Sequence, residues 1–319
     1  MESVKPKTLM EAIKHYADAD NALAETADSR WPTGVACQHC GAENPMFLKT
    51  RRIWKCSKCR KQFSIKTKSV FEDSPIGLDK WLAAVWMIAN CKNGISSYEV
   101  ARDLGVTQKT AWFMLHRIRL AMMDEDGNKL SGEVEADETF VGGKIANMHR
   151  KSKRFVRAKS AGTNWNKTIV LGLLQRDGNV RAAVAPSRTK HHIEPHLRNN
   201  VEADAQLYTD ELPVYGHAAP EIKREFVNHL ESYVQGRVHT NGMENFWSLL
   251  KRGLKGTYVS VDPAHLQAYV DEQVFRFNNR KDANDFDRFK LVLSQIVGKR
   301  MTYDQLIGKK EAETETVSD

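Results

Sequence analysis

GEVEADETFVGGK, residues 132–144, opens by alternating acidic and small apolar side chains. An extended strand has a side-chain period of two, so Glu133, Glu135 and Asp137 share one face, with Val134 and Ala136 on the other. Stacked carboxylates on a mostly apolar strand are costly unless a cation or solvent relieves them. Downstream, apolar stretches at 168–175, 179–185 and 205–209 read as further strands. Helical periodicity follows at about 191–199, 242–254, 263–280 and 284–297. Strands interspersed with helices predict an α/β core from roughly 130 to 300.

Two more acids stand at informative places. The strand AQLYTD delivers Asp210 at its carboxyl end, where α/β sheets place their ligand-binding edge. HTNGMENFWSLLK, residues 239–251, opens a helix with Glu244 in its first turn, and Lys251 lies two turns on, near the same face. Each has a plainer use: Asp210 can start a turn, and Asn241 with Glu244 fits a capping box. Between Asp137 and Asp210 lie 72 residues, and between Asp210 and Glu244 lie 33.

Upstream of this core, Ser96 and Glu99 form a capping pattern before Val100 and Leu104, and Gly105 then breaks the helix. Thr107 caps a second helix whose Ala111, Met114, Leu115 and Ile118 form an apolar stripe. A helix, a tight glycine turn and a second polar-faced helix is the helix-turn-helix pattern. It predicts Gln108, Lys109 and Thr110 facing a DNA groove, with His116, Arg117 and Arg119 nearer phosphates. An ordinary helical hairpin gives the same pattern.

Further upstream, Cys37, Cys40, Cys56 and Cys59 form two CxxC pairs with 15 residues between them. Each pair bends into a knuckle presenting two sulfurs, so the four predict one tetrahedral zinc ion in a zinc ribbon. A module this small needs the metal for its stability. Cys91 is left over and reads as an inert core thiol.

The 319 residues carry 48 Lys and Arg against 40 Asp and Glu, and the excess is concentrated. Residues 37–70 hold nine bases and one acid, and the stretch between Glu138 and Asp177 holds nine bases and no acid. Basic blocks of this kind point to a polyanion partner, most simply nucleic acid. The longest apolar run, Trp81 to Ala89, is nine residues, short of the roughly 18 a membrane span needs, and no signal-peptide core opens the chain. The composition predicts a soluble, intracellular, multidomain protein.

The ordered set Asp137, Asp210, Glu244 and Lys251 resembles that of the DDE transposases of bacterial insertion sequences. DETFVGGK (137–144), YTDE (208–211), HTNGMENFWSLLKRG (239–253) and YVDEQVFRFNNR (269–280) look like the ISXO-like group, which carries an N-terminal zinc ribbon. The resemblance spans roughly residues 31–280. It implies a multidomain α/β protein with a ribonuclease H-like catalytic core, a mixed sheet flanked by helices, preceded by a zinc ribbon and a helix-turn-helix. The expected divisions are an N-terminal helical segment (1–30), the ribbon (31–72), the helix-turn-helix region (73–128), the catalytic domain (129–300) and a tail (301–319). Asp137 would lie on the first strand of the core, Asp210 after the fourth and Glu244 on a later helix.

The implied activity is binding of terminal inverted repeats, then two-metal phosphodiester cleavage and strand transfer into target DNA. Asp137 would bridge two Mg²⁺ or Mn²⁺ ions, with Asp210 and Glu244 each completing one. Lys251 would hold a phosphate, and His239 and Asn241 would orient water or DNA. Lys144, Arg150, Lys151, Lys153, Arg154 and Arg157 would track the DNA backbone. Synapsis of two ends implies a homodimer or higher assembly on DNA, in a cytoplasmic, nucleoid-associated setting. The competing readings are a DNA-binding regulator with a decayed core and a structure-selective nuclease on the same fold.

Overall fold

A computed structural model describes residues 5–123, 127–143, 167–210, 215, 217, 219–226, 239–281 and 283–309. The chain forms two compact units, residues 1–123 with 281–319, and residues 124–280. Among the described residues no helix is long and apolar enough to cross a membrane.

The first unit begins with α1 (Leu9–Tyr16) and α2 (Ala19–Arg30). The sequence reads as one helix over 1–28, but Asp18 accepts the amides of Asp20 and Asn21 and starts a new one. A three-stranded antiparallel sheet follows, β1 (Met46–Leu48), β2 (Ile53–Lys55) and β3 (Gln62–Phe63). Its core of Trp54, Phe63, Ile65, Cys37 and Cys56 is completed by Leu23 of α2. Then come α3 (Leu78–Asn90), α4 (Ser97–Leu104) and α5 (Gln108–Ala121). Ser96 and Glu99 form the expected capping box on α4, and Gly105 ends that helix at φ 60°, a left-handed turn suited to glycine. Thr107 accepts the Thr110 amide and caps α5.

The second unit is a five-stranded mixed sheet. In chain order it runs β4 (Glu133–Val141), β5 (Thr168–Gln175), β6 (Val180–Ala185), α6 (Lys190–Asn200), β7 (Gln206–Thr209), β8 (Lys223–Phe226), α7 (Asn241–Gly256) and α8 (Leu266–Asn278). Strand order is β6-β5-β4-β7-β8, with β4 central. The pairs β6/β5 and β5/β4 are antiparallel, and β4/β7 and β7/β8 are parallel. Val134 and Ala136 pack with Leu171, Leu173, Leu207 and the α6 residues Ile193 and Leu197 on one face. Val170 and Leu174 pack with Met243, Phe246, Trp247 and Leu250 of α7 and Val270 of α8 on the other. Helices therefore cover both faces. Strand β8 carries no apolar alternation, because it is an edge strand with mostly exposed side chains.

The chain then returns to the first unit with α9 (Asp285–Ser294) and α10 (Tyr303–Leu306). Phe289 of α9 stacks on Tyr16 at 5.4 Å and lies 5.3 Å from Trp86. The helix expected to close the α/β core at 284–297 thus belongs with the N-terminal helices, and the core ends at Arg280.

Candidate functional site

The register of β4 with β7 builds the acidic centre. Ala136 pairs with Thr209, so the next residues, Asp137 and Asp210, emerge side by side where β7 stops. Asp137, Glu138 and Asp210 each place a carboxylate oxygen within 4.8 Å of the others. Glu138 joins although period two turns it from the Asp137 face; its carboxylate still comes within 4.8 Å of those of Asp137 and Asp210. Burial raises the Asp137 carboxyl to about 6, with Glu138 and Asp210 adding repulsion against its hydrogen bonds from Glu138 N–H and Trp247. Burial and Asp210 also raise Glu138. Three crowded hard oxygen donors, half-buried, suit a divalent cation.

Cationic and phenolic groups hold this centre in place. Arg188 donates to Glu138 Oε1 at 3.2 Å, and the buried Tyr215 hydroxyl donates to Oε2 at 3.0 Å. Arg224 donates to the Thr209 hydroxyl at 2.8 Å and to the Asp210 carbonyl at 3.0 Å. Asp137 itself is gripped twice, Oδ1 by the Glu138 amide at 2.8 Å and Oδ2 by the Trp247 indole N–H at 2.9 Å.

Glu244 stands apart from that trio, exposed in the first turn of α7, one turn before Trp247. The capping box open to it and Asn241 does not form, and α7 has no side-chain cap from its own N-terminus. Instead Glu135 reaches across from β4 and accepts the Met243 amide at 3.0 Å. Glu135, 1% exposed, is paired with Arg176 at 3.0 Å and lies 3.4 Å from His239 Nδ1. Arg176 also donates to the His239 carbonyl at 2.9 Å. His239 is thereby part of the clamp that starts α7, while Asn241 is exposed beside it. Lys251 is partly buried on α7, its ammonium pKa lowered by burial and Lys255 while Asp137 opposes the shift.

The four cysteines converge as their spacing predicts. Cys37 and Cys59 sulfurs are 3.7 Å apart, and Cys40 and Cys56 are 3.6 Å apart. A disulfide is about 2.05 Å, whereas tetrahedral Zn–S bonds of about 2.3 Å place sulfurs roughly 3.8 Å apart. The amides of His39 and Cys59 point at Cys37 and Cys56 sulfurs, the latter holding the Cys56 thiol down to about 6. The set fits a structural zinc ion.

In the helix pair, Ala111, Met114, Leu115 and Ile118 are buried as expected. Lys109 is exposed, with its ammonium 4.3 Å above the Tyr303 ring, and Gln108 donates to Ser97 at 2.9 Å. Thr110 shares a hydrogen bond with the Thr107 cap. His116, Arg117 and Arg119, expected near phosphates, are instead 1–3% exposed. Arg117 donates to the Glu72 carbonyl and stacks on Trp81 and Phe113, which shelters its charge inside the unit. The basic residues Lys144, Arg150, Lys151, Lys153, Arg154 and Arg157 lie outside the described residues.

Sequence reasoning missed Glu138, which period two sets on the wrong face, and the roles of Glu135, Arg176 and Trp247. Trp247 sits inside a quoted motif, and its one polar atom was the available signal.

The ISXO2-like transposase domain matches residues 129–278, and the transposase zinc-ribbon domain matches residues 18–62. The sequence is also similar to an uncharacterized protein in transposable element ISH50 of Halobacterium salinarum, 28% identical over 256 residues, 77% of this chain and 86% of the relative.

Proposed function

We propose that this chain, which carries the zinc-ribbon and transposase domains of the ISXO2-like insertion-sequence transposases, is a DDE-type enzyme that cuts and joins DNA at the ends of its element. The observation that carries the reading is the convergence of Asp137, Glu138 and Asp210 at the carboxyl end of β7. Asp137 on the unit's first strand, Asp210 directly after the fourth and Glu244 on a later helix support a ribonuclease H-like core.

When bound, two divalent ions would activate the attacking oxygen and stabilise the departing 3′ oxygen of an in-line displacement. Asp137, Asp210 and Glu138 would hold such an ion at the acidic centre, and Glu244 would contribute from the exposed start of α7. Lys251 holds a phosphate as a point charge on the helix that already carries Trp247. Asn241 orients DNA at the same helix end. Water first opens the phosphodiester at the element's end, and the freed 3′ hydroxyl then attacks target DNA at the same centre.

The ribbon and the helix pair, through Lys109 and its neighbours Gln108 and Thr110, supply contacts to terminal inverted repeats and target DNA. The basic block 144–157 tracks the backbone. Pairing two DNA ends calls for a homodimer or higher assembly on DNA, acting at the nucleoid in the cytoplasm.

The test is nicking of terminal-repeat DNA with Mg²⁺. Asp137→Asn is expected to abolish cleavage while leaving DNA binding intact. Cleavage that survives Asp137→Asn overturns the assignment. Binding without any cleavage by the unaltered protein identifies instead a DNA-binding regulator with a decayed core.

A further inference from the structure

We propose that Trp247 is a positioning residue for the acidic centre, aiming the Asp137 carboxylate from a slot that only Gly172 leaves open. The inference rests on the metal-centre reading above. Its first support is the hydrogen bond from the Trp247 indole N–H to Asp137 Oδ2, 2.9 Å long. Its second is independent of that bond. Gly172 faces Asp137 across the β4/β5 ladder, and a Cβ there would lie 2.6 Å from two Trp247 ring carbons and 2.3 Å from the Met243 methyl. Real Cβ contacts do not come so close, so any side chain at 172 would drive the indole off the sheet.

The slot works because α7 is fixed along the strand. Glu135 holds the Met243 amide one turn before Trp247, and Gly242 leaves room for it, since a Cβ there would come within 2.8 Å of the Glu135 carboxylate. Two residues spaced by two on β4 thus grip one helix, Glu135 at its start and Asp137 a turn later.

The two donors on Asp137 divide the labour. Glu138 N–H fixes Oδ1 and Trp247 fixes Oδ2, so the carboxylate plane is set while one of its oxygens stays within 4.8 Å of those of Glu138 and Asp210. Partners that orient metal ligands in this way alter metal affinity by about 10–100-fold when removed. Trp247 touches neither substrate nor ion in this scheme; it acts through Asp137.

Trp247→Phe keeps an aromatic ring at the slot while deleting the donor together with one ring of the indole. Titrated with Mn²⁺ alone by calorimetry, at a temperature where it is still folded, it is expected to bind about tenfold or more weakly. Its cleavage of terminal-repeat DNA should need correspondingly more Mn²⁺ for half-maximal rate and recover at saturating metal, which a merely structural defect would not do. In the unaltered protein, Mn²⁺ should quench part of the tryptophan fluorescence, and that part should vanish in Asp137→Asn. This second measurement decides the matter if Trp247→Phe fails to fold. Parent-like Mn²⁺ affinity in a folded Trp247→Phe, or no Asp137-dependent quenching, overturns the proposal. Mn²⁺ binding that survives Asp137→Asn sinks the metal-centre reading itself, a distinguishable result.

Discussion

Two basic side chains of α5 illustrate how position decides what a charge does. Arg117 is buried against Trp81 and Phe113, its guanidinium pKa lowered to about 10 by burial, whereas Lys109 is exposed at the helix start. Arg117→Ala should therefore cost about 2–3 kcal/mol in urea unfolding, leaving the Glu72 carbonyl unpaired, with little effect on the DNA affinity of the protein that remains folded. Lys109→Ala should do the reverse, keeping the melting temperature while weakening DNA binding and reducing its salt slope by about one. Equal losses of DNA affinity at unchanged stability in both variants would contradict this division. Glu244→Gln makes a third case. Because Glu244 is exposed and outside the half-buried trio, its loss should abolish cleavage while sparing much of the Mn²⁺ binding seen by calorimetry. Asp137→Asn should lose both.

At the scale of elements, the start of α7 is held by another strand and not by its own sequence. Removing the acid in Glu135→Gln leaves Arg176 partly uncompensated in a buried place, and losing one partner of such a pair costs about 3–5 kcal/mol. The remaining contact of Arg176 with Glu133, at 3.6 Å, puts the expectation at the low end. Chemical denaturation of Glu135→Gln and Glu133→Gln should separate the two, with the Glu135 variant clearly the weaker. The element α6 supplies a pH response of its own. His196 is pushed down to about 4 from its usual 6.5 by burial and the charge of Arg181. Its neutral ring favours the folded state fully above 6.5, and that contribution is lost as pH falls toward 4, by at most about 1.4 kcal/mol per pH unit. Urea midpoints taken between those pH values should fall with acidification, and His196→Gln should flatten the slope.

For the whole molecule, what could be read in advance followed from the range of the interaction. The strands over 133–141 and 168–175 were legible to the residue, because period-two alternation in the one and an apolar run in the other are local signals. The zinc ribbon was legible too, since four sulfurs at fixed spacing have few other uses. Chelating its metal is expected to unfold the ribbon and expose Trp54 and Phe63, checked by a red shift in fluorescence that zinc reverses. What the chain hid is nonlocal. Strand β8 is polar because it lies at an edge, and residues 281–309 fold back onto the N-terminal helices through Phe289, a contact with Tyr16 that no window of sequence contains. Glu138 was hidden by the strand period itself, which sets it on the face opposite Asp137, although their carboxylates meet beside Asp210.

The cleft above Gly172 has a consequence for descent. Positions 172 and 247 form a lock and a key far apart in the chain, and neither can change alone without jamming or emptying the fit. Among diverging relatives of this chain, the glycine and the indole should be kept together or lost together. A relative bearing a bulkier residue at 172 should already have surrendered its tryptophan, and with it part of its hold on the metal.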